Sequence, residues 1–343
     1  PLISNSQYSL IAALVGNANM DPSTSDPHAD TLVHWTMGID KNSPLVGIGR
    51  NILAGQLPQQ LRADPLAWMG KTISFYADAD PYWTDTNSQQ FNVFDMFRSQ
   101  APIGIHFDVE NPLSLLPFLA ALRAFIDQTG PGMTVWETFE HQGTAYVRIK
   151  PGPQLLAGRN QMVSEDHALY YAATARSLVF SPSEKVIHRA IERANKLSQP
   201  GESIAPELLD NARWLGQSVN LQLDGAWLPA LQRIAAANFS QEMCRASWRN
   251  IPILNEWKRA FPDDDPQATH AAFFKRQLEC PAGGEYFWDE RRQSMVSSVC
   301  GPPGTDSQPE LRLPLPYRDL KSAVFGLTFE QNGLRAKVLI HRQ

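Results

Sequence analysis

The sequence predicts an α+β protein made of two related halves, in which mixed or antiparallel sheets are packed by helices. Three observations predict it: strand-like alternation is interspersed with stretches of helical period, one residue pattern occurs twice, and all the cysteines lie in the last third of the chain. We expect the helices to cover one face of the sheet. We also expect the second half to carry an insertion that a disulfide closes.

The chain is long enough for more than one core. It has 343 residues, of which 43% are hydrophobic, whereas a single core stops growing at about 250 to 300 residues. The segments that we predict are an N-terminal extension at residues 1–50, a first half at 51–200, and a second half at 201–343 with the insertion at about 240–304.

The net charge and the hydropathy of the chain limit the kinds of molecule that we expect it to bind. The net charge is −5 and no basic run occurs, so nucleic acid is not expected as a partner. No apolar stretch reaches the ~18 residues that span a bilayer. The chain begins at Pro1, which fits the loss of a leader, so we expect membrane association only through that missing leader or through a partner.

The sheet of the first half includes Ile103–Val109, where polar and apolar residues alternate. Asn111 and Pro112 are a helix start signal, and apolar residues then recur at helical spacing until Gly130. The strands predicted next are residues 133–140, 144–149, 168–173 and 177–180.

A second helix follows these strands. Ser181 and Glu184 have the spacing of a capping box, with Pro182 in the first turn. The apolar residues of this helix are Val186, Ile187, Ala190, Ile191 and Ala194. They form one buried face.

One pattern occurs in both halves at the same spacing: a helix that ends at tryptophan, a glycine, an alternating strand and an aspartate turn. The identical pairs are Asp64 and Asp210, Trp68 and Trp214, Gly70 and Gly216, and Asp78 and Asp224. Residues 138–143 also resemble residues 328–333, and both predict hairpins, with turns at Gln142 and Gly143 and at Asn332 and Gly333. We infer that an ancestral module was copied.

The cysteines lie in the predicted insertion. Cys280 and Cys300 bracket a glycine turn and an aromatic run that suits a strand, so the segment predicts a stapled hairpin. A zinc site is the alternative that the three cysteines and His270 leave open, although their spacings match no short ligand pair.

Residues 280–286 form a C-P-x-G-G-x-Y box. The box resembles one in uncharacterised exported bacterial proteins and, more loosely, the C-terminal segment of pilin-like proteins, whose N-terminal hydrophobic helix is missing here. The resemblance implies export and a disulfide between Cys280 and Cys300, and it implies no activity. Cys244 is then a buried thiol in a helical run. We expect Tyr286 and Trp288 to contact a partner, because aromatic residues concentrate at interfaces.

Two acidic clusters are candidates for chemistry, and each has a structural alternative. Asp78, Asp80 and Asp85 could bind calcium, but the turn glycine of a calcium loop is missing, so Asx turns are favoured. Asp265 belongs to a run of three aspartates, which cannot all face one ion. It is favoured as the N-cap of a helix at residues 267–275.

Two histidines also have neighbours that could form a site. Glu184, His188 and Glu192 share one helix face, as metal ligands do, but a solvated face has the same spacing and is favoured. His106 and Asp108 lie on the same side of a predicted strand, where they could belong to an active site or to the wet side of a half-exposed sheet.

No nucleophile elbow, phosphate loop or zinc-protease motif occurs, and we predict no catalytic residue, metal site or cofactor. The predicted function is a non-catalytic scaffold or binding subunit of an exported assembly, periplasmic or secreted, with protein partners. One alternative is a hydrolase that uses carboxylates such as Asp78 and Asp108 in a cleft between the halves. Another is a carrier of a lipid or small ligand, with a cavity lined by the inward residues of Ile103–Val109.

Overall fold

The computed structural model describes residues 18–56, 64–85, 100–157, 166–304, 319–330 and 333–342. The chain divides into two compact units. Unit 1 comprises Pro1–Thr86, Asn92–Trp227 and Asp319–Gln343, and unit 2 comprises Asn87–Phe91 and Leu228–Arg318. Most of unit 2 is therefore one insertion in the sequence of unit 1. The boundaries predicted at residues 50 and 200 stay predictions.

Antiparallel strands form the framework of both units. The strands are β1 (Thr31–Gly38), β2 (Met69–Asp78), β3 (Ile103–Val109), β4 (Thr134–His141), β5 (Thr144–Pro151), β6 (Leu169–Ala173), β7 (Ser177–Ser181), β8 (Val219–Asp224), β9 (Tyr286–Asp289), β10 (Ser294–Ser297), β11 (Leu320–Glu330) and β12 (Gly333–Arg342). Within the described residues, β9 and β10 pair in unit 2, and the others form a ten-stranded sheet in the order β12-β11-β8-β1-β2-β3-β7-β6-β5-β4. Together with the helices, this sheet confirms the α+β prediction.

The described residues form seven α-helices, two of which begin at a predicted capping residue. They are α1 (Pro44–Gln56), α2 (Tyr82–Asp85), α3 (Pro112–Thr129), α4 (Pro153–Ala157), α5 (Glu184–Leu197), α6 (Leu228–Ala260) and α7 (Pro266–Phe274). The Asn111 side chain caps α3 by accepting from the amide of Ser114 at 3.2 Å, and Asp265 caps α7 by accepting from the amide of Gln267 at 3.1 Å. The capping box predicted from Ser181 and Glu184 is wrong. The Ser181 hydroxyl accepts from the amide of Ser183 at 2.9 Å rather than from that of Glu184, and the Glu184 carboxylate accepts from the Tyr146 hydroxyl.

Helices cover both faces of the large sheet, so the prediction of a single covered face is wrong. Strand pairing places Met37, Ile73, Phe107 and Leu178 in one row, and Thr36, Ser74, His106 and Val179 in the adjacent row on the opposite face. Helix α3 packs on the first row, and α5 packs around Val179. Because Leu178 and Val179 are successive, apolar and buried, each face needs a cover.

The hairpin predicted at Gln142 and Gly143 is confirmed. Strands β4 and β5 pair on either side of these residues. Their φ values of 48° and 77° are those of a turn that favours glycine. Asn332, in the second predicted turn, lies outside the described residues, while the flanking strands β11 and β12 pair up to Glu330 and Gly333.

The common origin of the two halves stays a prediction. Strands β2 and β8 lie on either side of β1, and both run antiparallel to it. The corresponding tryptophans have different surroundings, however: Trp68 packs against Phe118 of α3, whereas Trp214 packs against His34.

The predicted pairing of Cys280 with Cys300 is wrong. Cys244 of α6 is bonded to Cys300, with their Cα atoms 5.2 Å apart, and Cys280 is a buried free thiol. The prediction considered the β9–β10 hairpin alone, whereas α6 contacts β10 and brings Cys244 into the same buried cluster. The Cys244–Cys300 bond also excludes the alternative zinc site, since Cys244 and Cys300 cannot be thiolate ligands while they are bonded to each other.

Tyr286 is a core residue of unit 2, which corrects its prediction as a partner contact. Its side chain is buried, and its hydroxyl donates to the carbonyl of Ser247 on α6 at 2.9 Å. Trp288 is partly buried against the same cluster, and its role as a partner contact stays a prediction.

Candidate functional site

The polar row of the central sheet is buried. His34, Tyr76 and His106 of β1, β2 and β3 point to the α5 face and expose 2%, 0% and 4% of their surfaces. Gly104 makes room for Tyr76, because a Cβ at residue 104 would lie 2.4 Å from Cζ of the tyrosine ring. Antiparallel strands in which polar and apolar residues alternate usually face water on one side. Here the polar side instead forms the floor of a site.

Residues 20–30 cover part of this floor. Asp21 caps the short turn Pro22–Thr24 by accepting from the amide of Ser23 at 2.9 Å. The hydroxyl of Thr24 donates to that of Thr72 on β2 at 3.0 Å. Asp26 then takes a left-handed conformation, with φ of 57°, which aspartate tolerates better than most residues. This turn directs the Asp26 carboxylate towards α5.

Arg193 of α5 binds the Asp26 carboxylate through two nitrogens. Its Nε donates to Oδ1 at 2.8 Å and its Nη2 donates to Oδ2. The same Nη2 donates to the Tyr76 hydroxyl at 3.2 Å. Burial raises the pKa of Asp26, but the charge and hydrogen bonds of Arg193 outweigh burial and hold that pKa well below its usual range. Burial also raises the pKa of Tyr76.

His28 connects Asp26 to a second carboxylate. Its Nδ1 lies 2.7 Å from the carbonyl oxygen of Asp26, and its Nε2 lies 2.8 Å from Oδ1 of Asp78. A carbonyl and an ionised carboxylate both accept, so the ring is held between two hydrogen-bond acceptors. Arg189 donates to Oδ2 of Asp78 at 3.3 Å. We call Asp26, His28, Asp78, Arg189 and Arg193 the charged cluster.

His34 and His106, the two histidines of the floor, are neutral. Burial, and then the charge of His28, lowers the pKa of His34 to about 3. Burial is also the main cause that lowers the pKa of His106 to about 4, and Arg193 and His28 add to it against the opposing charge of Asp26. Nδ1 of His106 has no hydrogen-bond partner among the described residues, which is a costly state for a buried polar atom.

A pocket of about 390 Å³ in unit 1 opens beside the charged cluster. Its charged or polar lining includes Asp26, His28, His106, Asp108, Arg176, Arg193, Asn195 and Lys196, and its apolar lining includes Pro27, Val179, Ala190, Ala194, Leu197 and Leu208. The volume lies in the range of small-molecule sites, which combine apolar walls with a few polar groups.

The two predicted hydrolase carboxylates have different positions. Asp108 lines the pocket, where its Oδ2 accepts from the amide of Lys71 at 3.1 Å. Its pKa is raised mainly by burial. Asp78 belongs instead to the charged cluster, where it faces His28 and Arg189.

The acidic cluster after β2 is occupied by a side-chain cation. Arg189 contacts Asp80 at 3.4 Å as well as Asp78. Asp80 also accepts from the amide of Tyr82 at 3.0 Å, so the Asx turn predicted there is confirmed. The side chain of Asp85 is outside the described part of the structure.

The residues predicted to share a face of α5 bind different partners. Glu184 accepts from the Tyr146 hydroxyl at 2.6 Å, and Glu192 contacts His141 at 2.9 Å. His188 stacks on His141 with ring centres 3.9 Å apart. Within the described ranges, no three His, Cys, Asp or Glu residues are arranged to hold a metal ion.

No family model, curated protein or solved structure matches the chain. In the described portion of the chain, no helix is both long and apolar enough to cross a membrane.

Proposed function

We propose that the chain is a non-catalytic binding protein of an extracytoplasmic compartment that holds a small polar molecule in the pocket of unit 1. One observation carries the proposal: a pocket of about 390 Å³ has polar groups of both charge signs above a buried, hydrogen-bonded floor. The carrier alternative predicted a cavity along Ile103–Val109, and His106 and Asp108 of that strand line this pocket. The Cys244–Cys300 disulfide supports a location outside the cytoplasm.

The charged cluster supports binding over catalysis. The members of the cluster are paired with one another, Arg193 with Asp26 and His28 with Asp78, so their hydrogen bonds fix geometry rather than leave a base free to take a proton. A rigid floor of this kind lowers the entropy that is lost when a ligand binds.

The chemistry of the walls suggests the ligand class. Arg176 and Lys196 offer positive charge, and Asp108 offers a carboxyl group. His106 offers a buried nitrogen that lacks a partner in the described residues. A ligand that carries both hydrogen-bond donors and acceptors, such as a zwitterion, fits this lining better than a lipid chain.

Filling the pocket tests the proposal. We expect the Ala194→Phe variant to release at least 90% of the small molecule that co-purifies with the wild-type protein, because Ala194 lines the pocket and a phenyl ring would occupy its space. Native mass spectrometry of protein purified from its source measures the bound mass. Ala260→Phe, at an exposed helix position, is the matched control and should retain the ligand. A wild-type protein without bound small molecule, or a filled variant that still binds it, contradicts the proposal.

A second candidate function is the predicted protein-binding scaffold, and an aromatic patch in unit 2 favours it. Phe273 and Phe274 of α7 are 64% and 65% exposed. Phe273 stacks on Trp257 with ring centres 5.0 Å apart. Exposed aromatic groups of this kind are typical of contact sites.

The aromatic patch gives a direct test of the scaffold function. We expect the double variant Phe273→Asp and Phe274→Asp to weaken binding of a co-purifying protein at least tenfold, since charges would replace the apolar contact. Phe287→Asp, at another exposed phenylalanine of unit 2, is the control. Quantitative mass spectrometry of the native complex gives the readout. Unchanged recovery of the partner with the double variant rules out this patch.

A further inference from the structure

Unit 2 holds a third cysteine beside its disulfide. Cys244, Cys280 and Cys300 are all buried members of one core cluster, in which Cys244 and Cys300 are bonded. Cys280 carries a free thiol. A thiol and a disulfide in one closed cluster are the two reactants of an exchange reaction.

Hydrogen bonds surround the Cys280 sulfur. The hydroxyl of Ser247 lies 3.2 Å from Sγ, and that of Ser297 lies 3.4 Å from it. Burial raises the pKa of this thiol, but these two hydroxyls and the backbone of Gly284 and Ala282 outweigh burial and lower it. The thiolate is the form that attacks a disulfide.

The same two hydroxyls connect the thiol to both ends of the disulfide. Ser247 follows Cys244 by three residues on α6, so the two residues share a helix face. Ser297 accepts from the amide of Cys300 at 3.1 Å. The shorter of the two contacts is with Ser247, which lies one helical turn from Cys244.

We propose that unit 2 contains a thiol–disulfide exchange site in which Cys280 attacks Sγ of Cys244. The Cys280 thiolate supplies the electron pair of the new Cys244–Cys280 bond. The Cys244–Cys300 bond breaks, and Cys300 leaves as a thiolate that takes up a proton. One thiol and one disulfide are present before and after, so the step needs no external oxidant or reductant.

The two isomers are close in chain entropy. The loop from Cys244 to Cys280 is about two thirds as long as the loop that separates Cys244 from Cys300 by 56 residues. In the unfolded chain, this difference favours closing the shorter Cys244–Cys280 loop about twofold. The folded packing therefore favours the Cys244–Cys300 bond, and exchange should place the free thiol on Cys300 in a minority of the molecules.

Alkylation of the wild-type chain tests the exchange. The full chain is incubated at about pH 8.5 without reductant, quenched with acid, unfolded, alkylated with N-ethylmaleimide and mapped by mass spectrometry without reduction. We expect the label on Cys280 in most molecules and on Cys300 in a measurable minority. Label on Cys280 alone overturns the proposal. So does label on Cys244, because Cys300 would then be the attacked sulfur.

Variants give an independent measurement. In a glutathione buffer that keeps the wild-type disulfide oxidised, Cys300→Ala should form a Cys244–Cys280 bond, with glutathione disulfide as the oxidant. Cys280→Ala is the matched control and should keep the Cys244–Cys300 bond with no thiol. Two free thiols in folded Cys300→Ala overturn the proposal. If that variant does not fold, the wild-type labelling decides.

Discussion

Replacing Arg193 with methionine is expected to lower the free energy of unfolding of unit 1 by about 3 to 5 kcal/mol. The guanidinium donates to both oxygens of Asp26 and to the Tyr76 hydroxyl. Asp26 and Arg193 expose only 12% and 20% of their side chains, so water replaces little of the lost interaction. Methionine keeps the unbranched apolar stem of arginine, so most of the loss comes from the charge and the hydrogen bonds. Urea unfolding at neutral pH, followed by circular dichroism, measures the change.

Two controls distinguish an unpaired charge from a general disturbance of α5. The double variant Asp26→Asn and Arg193→Met should recover at least half of the lost free energy, because no isolated carboxylate is then buried. Lys196→Met, at a cation on the same helix that is 70% exposed, should change stability by less than about 0.5 kcal/mol. A loss below about 1 kcal/mol for Arg193→Met contradicts the importance of the cluster.

Unit 1 is also expected to lose about 4 kcal/mol of stability between pH 7 and pH 5, through the two neutral histidines of the floor. The unfolded chain protonates each histidine below about pH 6.5, whereas burial lowers the folded pKa of His34 to about 3 and that of His106 to about 4. The unfolded state therefore binds more protons in this window. Stability is fully present above about pH 6.5, and each histidine costs about 1.4 kcal/mol per pH unit as the pH falls.

Substitution of one histidine should halve this pH dependence. His106→Gln keeps a polar side chain that does not titrate, so we expect the difference between pH 7 and pH 5 to shrink by about 2 kcal/mol. His341→Gln, at an exposed position of β12, should leave the difference unchanged. Urea unfolding at both pH values provides the data. Equal stability at the two pH values would show that the floor histidines do not resist protonation.

Local patterns predicted many elements of unit 1. The alternation of Ile103–Val109, the cap at Asn111 and the turn at Gln142 and Gly143 are all present, because each depends on residues that are adjacent in sequence. The strand order depends on pairing between distant segments, such as β1 with β8, and no local pattern contains it. The placement of α3 and α5 on opposite faces of the sheet was missed for the same reason.

The charged cluster could not be predicted because its members are far apart in the sequence. His28 meets Asp78, and Asp26 meets Arg193, only after the sheet has formed. The alternation of polar and apolar residues correctly placed His106 on the polar side of β3. The same pattern is also typical of a strand whose polar side faces water. One signal does distinguish the buried case: the polar positions of β1 and β2 hold His, Thr, Ser and Tyr, whereas a solvated strand usually carries Lys or Glu.

The cysteine pairing shows a similar limit. Sequence proximity favoured a bond across the hairpin, but disulfides require matching Cα distances rather than short loops. The packing of α6 supplies the required distance for Cys244, at 5.2 Å from Cys300.

The place where unit 2 leaves the sheet has a consequence for modularity. Asp224, at the end of β8, lies directly opposite Ser322 of β11, so the polypeptide departs and returns at neighbouring strands. A domain whose termini are close together fits between such strands without separating them. Residues 228–318 can therefore be exchanged for another small domain or for a tight turn without separating β8 from β11. The sheet that carries the pocket accepts such an insertion, and a different inserted domain would bring a different binding specificity.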